Sequence, residues 1–397
     1  MGASRMAKPE ADKRGMAALA GGYLSYGAFW GAWVVLFADF LRDRDVSAGR
    51  ISLGFGALSI VAIGLMVFVA PRLEPWTRNS TASLALALHS TGAFLVVWLP
   101  NEWLVVAFFF LGAGTGLIDV FVNAAAQEIE ERARSPVLQW VHAAYGAGGL
   151  AGALLTGLAM TLGAPYRAAL VAAGVVQLAA GLLVFRSSAL RRMSGRHRGR
   201  VSLSTIRLYP ELLVPALIVM CAFYVEGSMD VWSVIFLRDT LGSSILGGAA
   251  AFAAFSLAMT LGRSFAARVL FDFGYKRTVL ASGLGSLFFA LLTVTASSSV
   301  VAGIGFLGLG FSLAAAAPAA FGMTHAAGPR AGLAIGAMTA IGYAGFVVGP
   351  PIMGWLTDNV GLRAAMSSLL AATFGMALLG AWTYARELRR GRTSPSR

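Results

Sequence analysis

The chain has 397 residues, of which 57% are hydrophobic and only 12% charged, and its mean hydropathy is +0.73. A soluble domain carries roughly 25% charged residues, so a soluble enzyme or nucleic-acid-binding module is excluded, and the net charge of +13 needs another explanation than a basic docking face. The single cysteine, Cys221, lies in an apolar stretch, which excludes an internal disulfide or a cysteine-built metal site and reads as a small buried hydrophobe.

In chain order, MGASRMAKPEADKRG opens as a polar, basic tail at residues 1–16, with a long apolar run behind it that lacks a cleavage site and so does not read as a signal peptide. Apolar runs then recur at about the length a helix needs to cross a bilayer core. They predict helices at 17–38, 51–71, 81–100, 103–126, 138–162, 167–186, 210–237, 245–267, 278–296, 300–323, 331–356 and 364–385. The polar segment RSSALRRMSGRHRGRVSLSTIR, from Arg186, divides them six and six. The expected organisation is a tail (1–16), a six-helix bundle (17–186), a basic linker (187–209), a second six-helix bundle (210–386) and a tail (387–397). The fold class is therefore an all-α polytopic membrane protein with twelve transmembrane helices in two pseudo-symmetric bundles.

Placing both termini in the cytoplasm assigns 25 of the 31 basic residues to that side, leaving Arg42, Arg44, Arg50, Arg167, Arg238 and Arg363 outside. The positive charge thus reads as orientation in a plasma (cytoplasmic) membrane, with anionic lipid head groups as its partners and no nucleic acid implied.

The halves repeat. FLGAGTGLIDVFVNAA from Phe110 aligns with FLGLGFSLAAAAPAAF from Phe306, and Gly148, Gly152 and Gly157 match Gly345, Gly349 and Gly354. Small residues one turn apart let helices approach closely in lipid. A 6+6 repeat is an architecture of alternating-access transporters, with the solute site near the midplane between repeats. Asp119 and Asn123 fall opposite Ala315 and Ala319, so the polar pair is not a packing requirement.

These motifs resemble the major facilitator superfamily over essentially the whole chain. VAPRLEPWTR, from Val69, is a degraded copy of that family's turn after the second helix, and GRSFAARVLFDFGYKR, from Gly262, is a closer copy after the eighth. The resemblance implies a cytoplasmic gate built from Arg72, Arg263, Arg268, Asp272 and Arg277. GLIDVFVN and YVEGSMDVW are similar to the fourth and seventh helices of the fucose-permease-like group of proton-coupled sugar importers, and GYAGFVVGPPIMGWLTD to the usual eleventh helix. The acid this group also places in its first helix is absent; Trp30 and Trp33 stand near its position.

Intramembrane charges are costly and usually functional. Asp119, Glu226 and Asp230 are the candidate proton-coupling acids, Asp119 about seven residues from the inner end of its predicted helix. Asn123, one turn from Asp119, is a candidate substrate ligand, as are His142, Tyr145, Trp30, Trp33, Tyr224 and Trp232; Trp232 fits an interfacial aromatic belt equally well. Asp230 is expected near the outer mouth by Arg238. His89 reads as packing, and Glu128 to Arg134 as a charged surface loop. No phosphate-binding loop, metal-ligand spacing or hydrolase triad is present, so no cofactor is expected. The sequence predicts a secondary transporter, acting as a monomer, that moves a small polar solute such as a sugar or sugar acid with protons. A proton-coupled exporter of amphipathic compounds and a non-transporting membrane sensor stay open as alternatives.

Overall fold

The computed structural model describes residues 3–73, 75–133, 137–191, 210–324 and 331–393. The greater part of the expected linker, together with Glu74, Arg134, His325 and Arg330, lies outside the described residues. All regular structure in the described residues is helical, and twelve helices are long and apolar enough to span a membrane.

The chain divides into an N-terminal unit, Met1–Arg198, and a C-terminal unit, Gly199–Arg397. The N-terminal unit holds α1 (Ala3–Arg44), α2 (Ala48–Gly64, carried on to Leu73), α3 (Arg78–Trp98), α4 (Leu104–Ala133), α5 (Val137–Thr161) and α6 (Tyr166–Arg186). The C-terminal unit holds α7 (Leu213–Ile235), α8 (Ile245–Phe273), α9 (Tyr275–Thr295), α10 (Ser299–Leu313, resumed at Ala316–Gly322), α11 (Ala331–Val360) and α12 (Leu362–Thr393).

Several helices overrun their predicted ends. Helix α1 begins within the expected tail, and α12 continues into the other one. Helix α4 runs to Ala133, so Glu128, Glu130, Glu131 and Arg132 form its last turns rather than a loop, and Asp119 lies about 21 Å from its end by the helical rise. Charge ends an apolar run, but it does not end a helix, whose backbone bonds are indifferent to it. Glycine does end one: Gly361, at φ +90°, makes the break between α11 and α12 that a Cβ would resist.

Glycine also sets the tightest crossings. A methyl group on Gly27 or Gly31 of α1 would strike the backbone of α5 at Tyr145 and Gly149, and one on Gly148 or Gly152 would strike α1 at Leu24 and Ala28. In the C-terminal unit Gly345 of α11 lies as close to Met220 of α7. The repeat seen in the sequence is thus real at this crossing, since α1–α5 and α7–α11 are equivalent pairs.

The match between α4 and α10 needs a shift of two residues. Gly112 presses on α2 at Leu58 and Gly114 on α3 at His89, whereas Gly308 presses on α9 at Phe289 and Gly310 on α8 at Phe255. Pairing Gly114 with Gly308 and Gly116 with Gly310 brings like contacts together. Asp119 then falls opposite Leu313 and Asn123 opposite Ala317, and the polar contrast survives.

Three of the arginines assigned to the outer side hold helix ends. The Arg44 guanidinium donates to the carbonyls of Val96, Val97 and Leu99 at the end of α3, and that of Arg363 to Val294 and Ala296 at the end of α9. Both satisfy carbonyls that a helix terminus leaves without partners. Arg167 bonds Asp43 at 2.6 Å, and Tyr166 donates to the same carboxylate at 2.8 Å, tying α6 to α1.

Candidate functional site

In the N-terminal unit the candidate residues come together on three helices. Tyr23, Tyr26 and Trp30 recur at helical spacing along one face of α1. Thr115, Asp119 and Asn123 do the same on α4, and His142 and Tyr145 on α5. The Gly27–Tyr145 backbone crossing lets these faces meet.

The Tyr23 hydroxyl donates to Asp119 Oδ1 at 3.0 Å, and the Tyr26 hydroxyl to Thr115 Oγ1 at 3.0 Å. The Tyr23 ring meets His142 edge-on at 5.4 Å and lies 5.6 Å from Tyr145, which is also 5.6 Å from Tyr26. Trp30 closes the row, edge-on to Tyr26 at 6.4 Å. Asn123 is half-buried, and its Oδ1 has no hydrogen-bond partner among the described residues. A buried amide oxygen in that state is an acceptor available to a ligand or water.

Behind this row, His89 of α3 is fully buried against Phe29, Tyr26 and Trp30, with Nδ1 2.9 Å from Gln177 Oε1. Its placement is that of a packing residue. Trp33 differs from Trp30: it is 1% exposed and lies among Phe29, Phe37, Phe40 and Phe55, a layer that offers a solute no face. Tyr23, Tyr26 and Thr115 were missed in the sequence. Their signal is the spacing of GGYLSYGAFW, which sets both tyrosines on the face of Trp30.

In the C-terminal unit, Glu226 and Asp230 lie one turn apart on α7. The Arg263 Nη2 donates to both oxygens of Glu226, at 2.8 and 2.9 Å. Arg263 sits inside α8, within the predicted helix 245–267, and its partner is an intramembrane acid of α7. Asp230 shares its helix face with Glu226 one turn away, and Arg238 stands two turns beyond it, past the end of α7.

Tyr224 donates to Ser368 of α12 at 2.6 Å and lies beside Gly349 of α11, so it joins helices. Trp232 is fully buried, which rules out a place in a lipid-facing belt. Trp76, Trp98 and Trp103 are exposed near helix ends, the position such a belt takes.

The remaining residues expected at a gate find partners within their own units. Arg72 donates to the Phe68 carbonyl, Arg268 lies 3.9 Å from Asp272 one turn away, and the Arg277 guanidinium stands 5.6 Å over the Tyr384 ring. A stronger ionic feature is Arg78, 3% exposed, with Nε 3.7 Å from Glu128 Oε2 and Arg132 3.8 Å from the same carboxylate. Arg78 closes the VAPRLEPWTR turn but was not among the expected gate residues, because charge at the start of a helix looks solvated until packing covers it.

A profile described as Major Facilitator Superfamily matches residues 18–272 and 215–397. The chain belongs to the major facilitator superfamily. It is 30% identical over 360 residues to an uncharacterised MFS-type transporter of Yersinia pestis, covering 88% of each chain, and 26% identical to the membrane protein MosC of Rhizobium meliloti, covering 79% of this chain and 77% of that one. Among solved structures it is similar to the nucleoside transporter NupG (TM-score 0.74, 12% identity, covering 94% of this chain and 98% of that one). It is also similar to a D-xylose–proton symporter (TM-score 0.68, 14% identity, covering 94% and 96%). At these identities the likeness establishes the fold. The protein is an integral membrane transporter and not an enzyme.

Proposed function

We propose that this superfamily member is a proton-coupled importer of a small, hydroxylated ring solute such as a sugar or sugar acid, with Asp119 as its proton carrier, as the resemblance to the fucose-permease-like group implies. The hydrogen bond from Tyr23 to Asp119, on a face otherwise built of aromatic rings, carries this reading. The tyrosine hydroxyl stabilises the carboxylate form at Oδ1, and protonation replaces a costly intramembrane charge with a neutral acid. A site that alternates between these forms on opposite sides of the membrane moves one proton per cycle. Solute and proton shift the balance of states only through different affinities for each.

The rings of Trp30 and Tyr145 suit the C–H face of a sugar, and Asn123 and His142 supply polar groups for its hydroxyls. The names of two structural neighbours, a nucleoside transporter and a xylose–proton symporter, agree with that solute class. The test is a panel of sugars and sugar acids offered to proteoliposomes that contain a pH-sensitive dye. Solute-triggered acidification identifies the substrate and the direction of coupling. Silence across the panel, with proton-driven efflux of amphipathic dyes, assigns the protein to export instead.

A further inference from the structure

Glu226 and Asp230 are spaced about 6 Å along α7, on one face. Glu226 is held by both bonds from Arg263. Asp230 is half-buried, and no hydrogen bond reaches its carboxyl among the described residues. The helices packed on α7 bring few other ionisable groups. Helix α11 brings Tyr343, packed on Phe223, and Asp358 in its last turn, and α12 brings Arg363, which caps α9 and lies over Phe236. The resumed part of α10, Ala316–Gly322, brings none. Arg238 and Asp239 come two turns beyond Asp230, past the end of α7. Two acids and one guanidinium therefore share this face, one negative charge in excess if both acids are ionised.

An uncompensated charge in an apolar span is costly, and two neighbouring carboxyls relieve it by keeping one proton between them. We infer that Asp230 holds this proton while Arg263 holds Glu226, and that the proton passes from Asp230 to Glu226 as Arg263 moves from Glu226 to Asp230. The O–H bond at Asp230 breaks and one forms at Glu226. The two bonds from the guanidinium to Glu226 are released and re-formed at Asp230. The cluster is neutral before and after, so a proton advances one helical turn with no net charge left in the span. Arg263 is a positioning residue in this exchange. The inference rests on the proton-coupled reading above, but its test needs no solute.

The test is infrared absorption of protonated carboxyl groups in the purified full-length protein in lipid nanodiscs near neutral pH. Wild type is compared with Asp230→Asn, Glu226→Gln and the double variant Glu226→Gln/Arg263→Gln, each confirmed folded by size exclusion. Asp230→Asn is expected to lose one protonated carboxyl. Glu226→Gln is expected to lose it as well, because Arg263 is released to pair with Asp230, and the double variant is expected to regain it. An unchanged spectrum for Asp230→Asn overturns the inference. So does a protonated Asp230 that survives in Glu226→Gln, which would make Glu226–Arg263 a fixed structural pair. If no solute is transported while the carboxyl pattern holds, the solute reading fails and this inference stands; acidification with the pattern absent gives the reverse.

Discussion

The two six-helix units share a skeleton and divide the chemistry. In the N-terminal unit one acid, Asp119, accepts a hydrogen bond from a tyrosine hydroxyl on an aromatic face. In the C-terminal unit two acids share a helix face with an arginine, and Glu226 is ion-paired. Yet the α1–α5 and α7–α11 crossings rest on matched glycines. The lesson is that duplication preserved what brings backbones together, and the side chains between them diverged. An acid beside a phenol can change its charge without dismantling a salt bridge, whereas an acid beside a guanidinium gives up an ion pair when it takes a proton.

The shared skeleton predicts equal, large losses in both units. Trp33→Ala and Trp232→Ala each remove a fully buried indole, and each should cost about 3–5 kcal/mol, read as a lower Tm in detergent. The glycine match should then separate the units. A methyl at Gly152 meets the Ala28 backbone, whereas one at its counterpart Gly349 meets nothing nearer than 3.4 Å, at the Tyr224 ring. Gly152→Ala should destabilise by roughly 1–3 kcal/mol and Gly349→Ala by under about 1 kcal/mol; equal effects would mean the crossings are not built as described.

A smaller effect distinguishes the two tyrosines. Tyr224→Phe removes the bond to Ser368 and should lower stability by about 1 kcal/mol. Tyr23→Phe removes the bond to Asp119, and should in addition shift the pH profile of proton-driven uptake, since it changes a charged partner. The smallest effect is expected at Arg268, whose side chain is 86% exposed. Arg268→Gln should change Tm by no more than about 0.5 kcal/mol would, the worth of an exposed pair.

Much of this was legible in the sequence, for a physical reason. A span in lipid must satisfy its own backbone, so every crossing shows as a long apolar run, and twelve were found. An acid within such a run is conspicuous, so Asp119, Glu226 and Asp230 were named. Tyrosine is not conspicuous there, being apolar in its ring and polar only at its tip, so Tyr23 and Tyr26 were overlooked although they touch the named residues. Arg263 was placed within its helix, but its pairing with Glu226 crosses two helices and shows only in the packing. Trp30 and Trp33 looked alike in the chain, and only packing separated a face of the row from a member of the core. The repeat was recognised correctly, but its α4–α10 register followed identical letters rather than contacts.

The central claim is that Asp119 carries the proton. The direct measurement is acidification inside proteoliposomes on addition of the transported solute, with wild type compared with Asp119→Asn at equal incorporation. The account predicts that solute addition acidifies the wild-type vesicles and that the signal falls at least about tenfold in the variant, a loss of some 1.4 kcal/mol or more in coupling. Acidification of undiminished size in Asp119→Asn would contradict it and leave that carboxylate a structural partner of Tyr23.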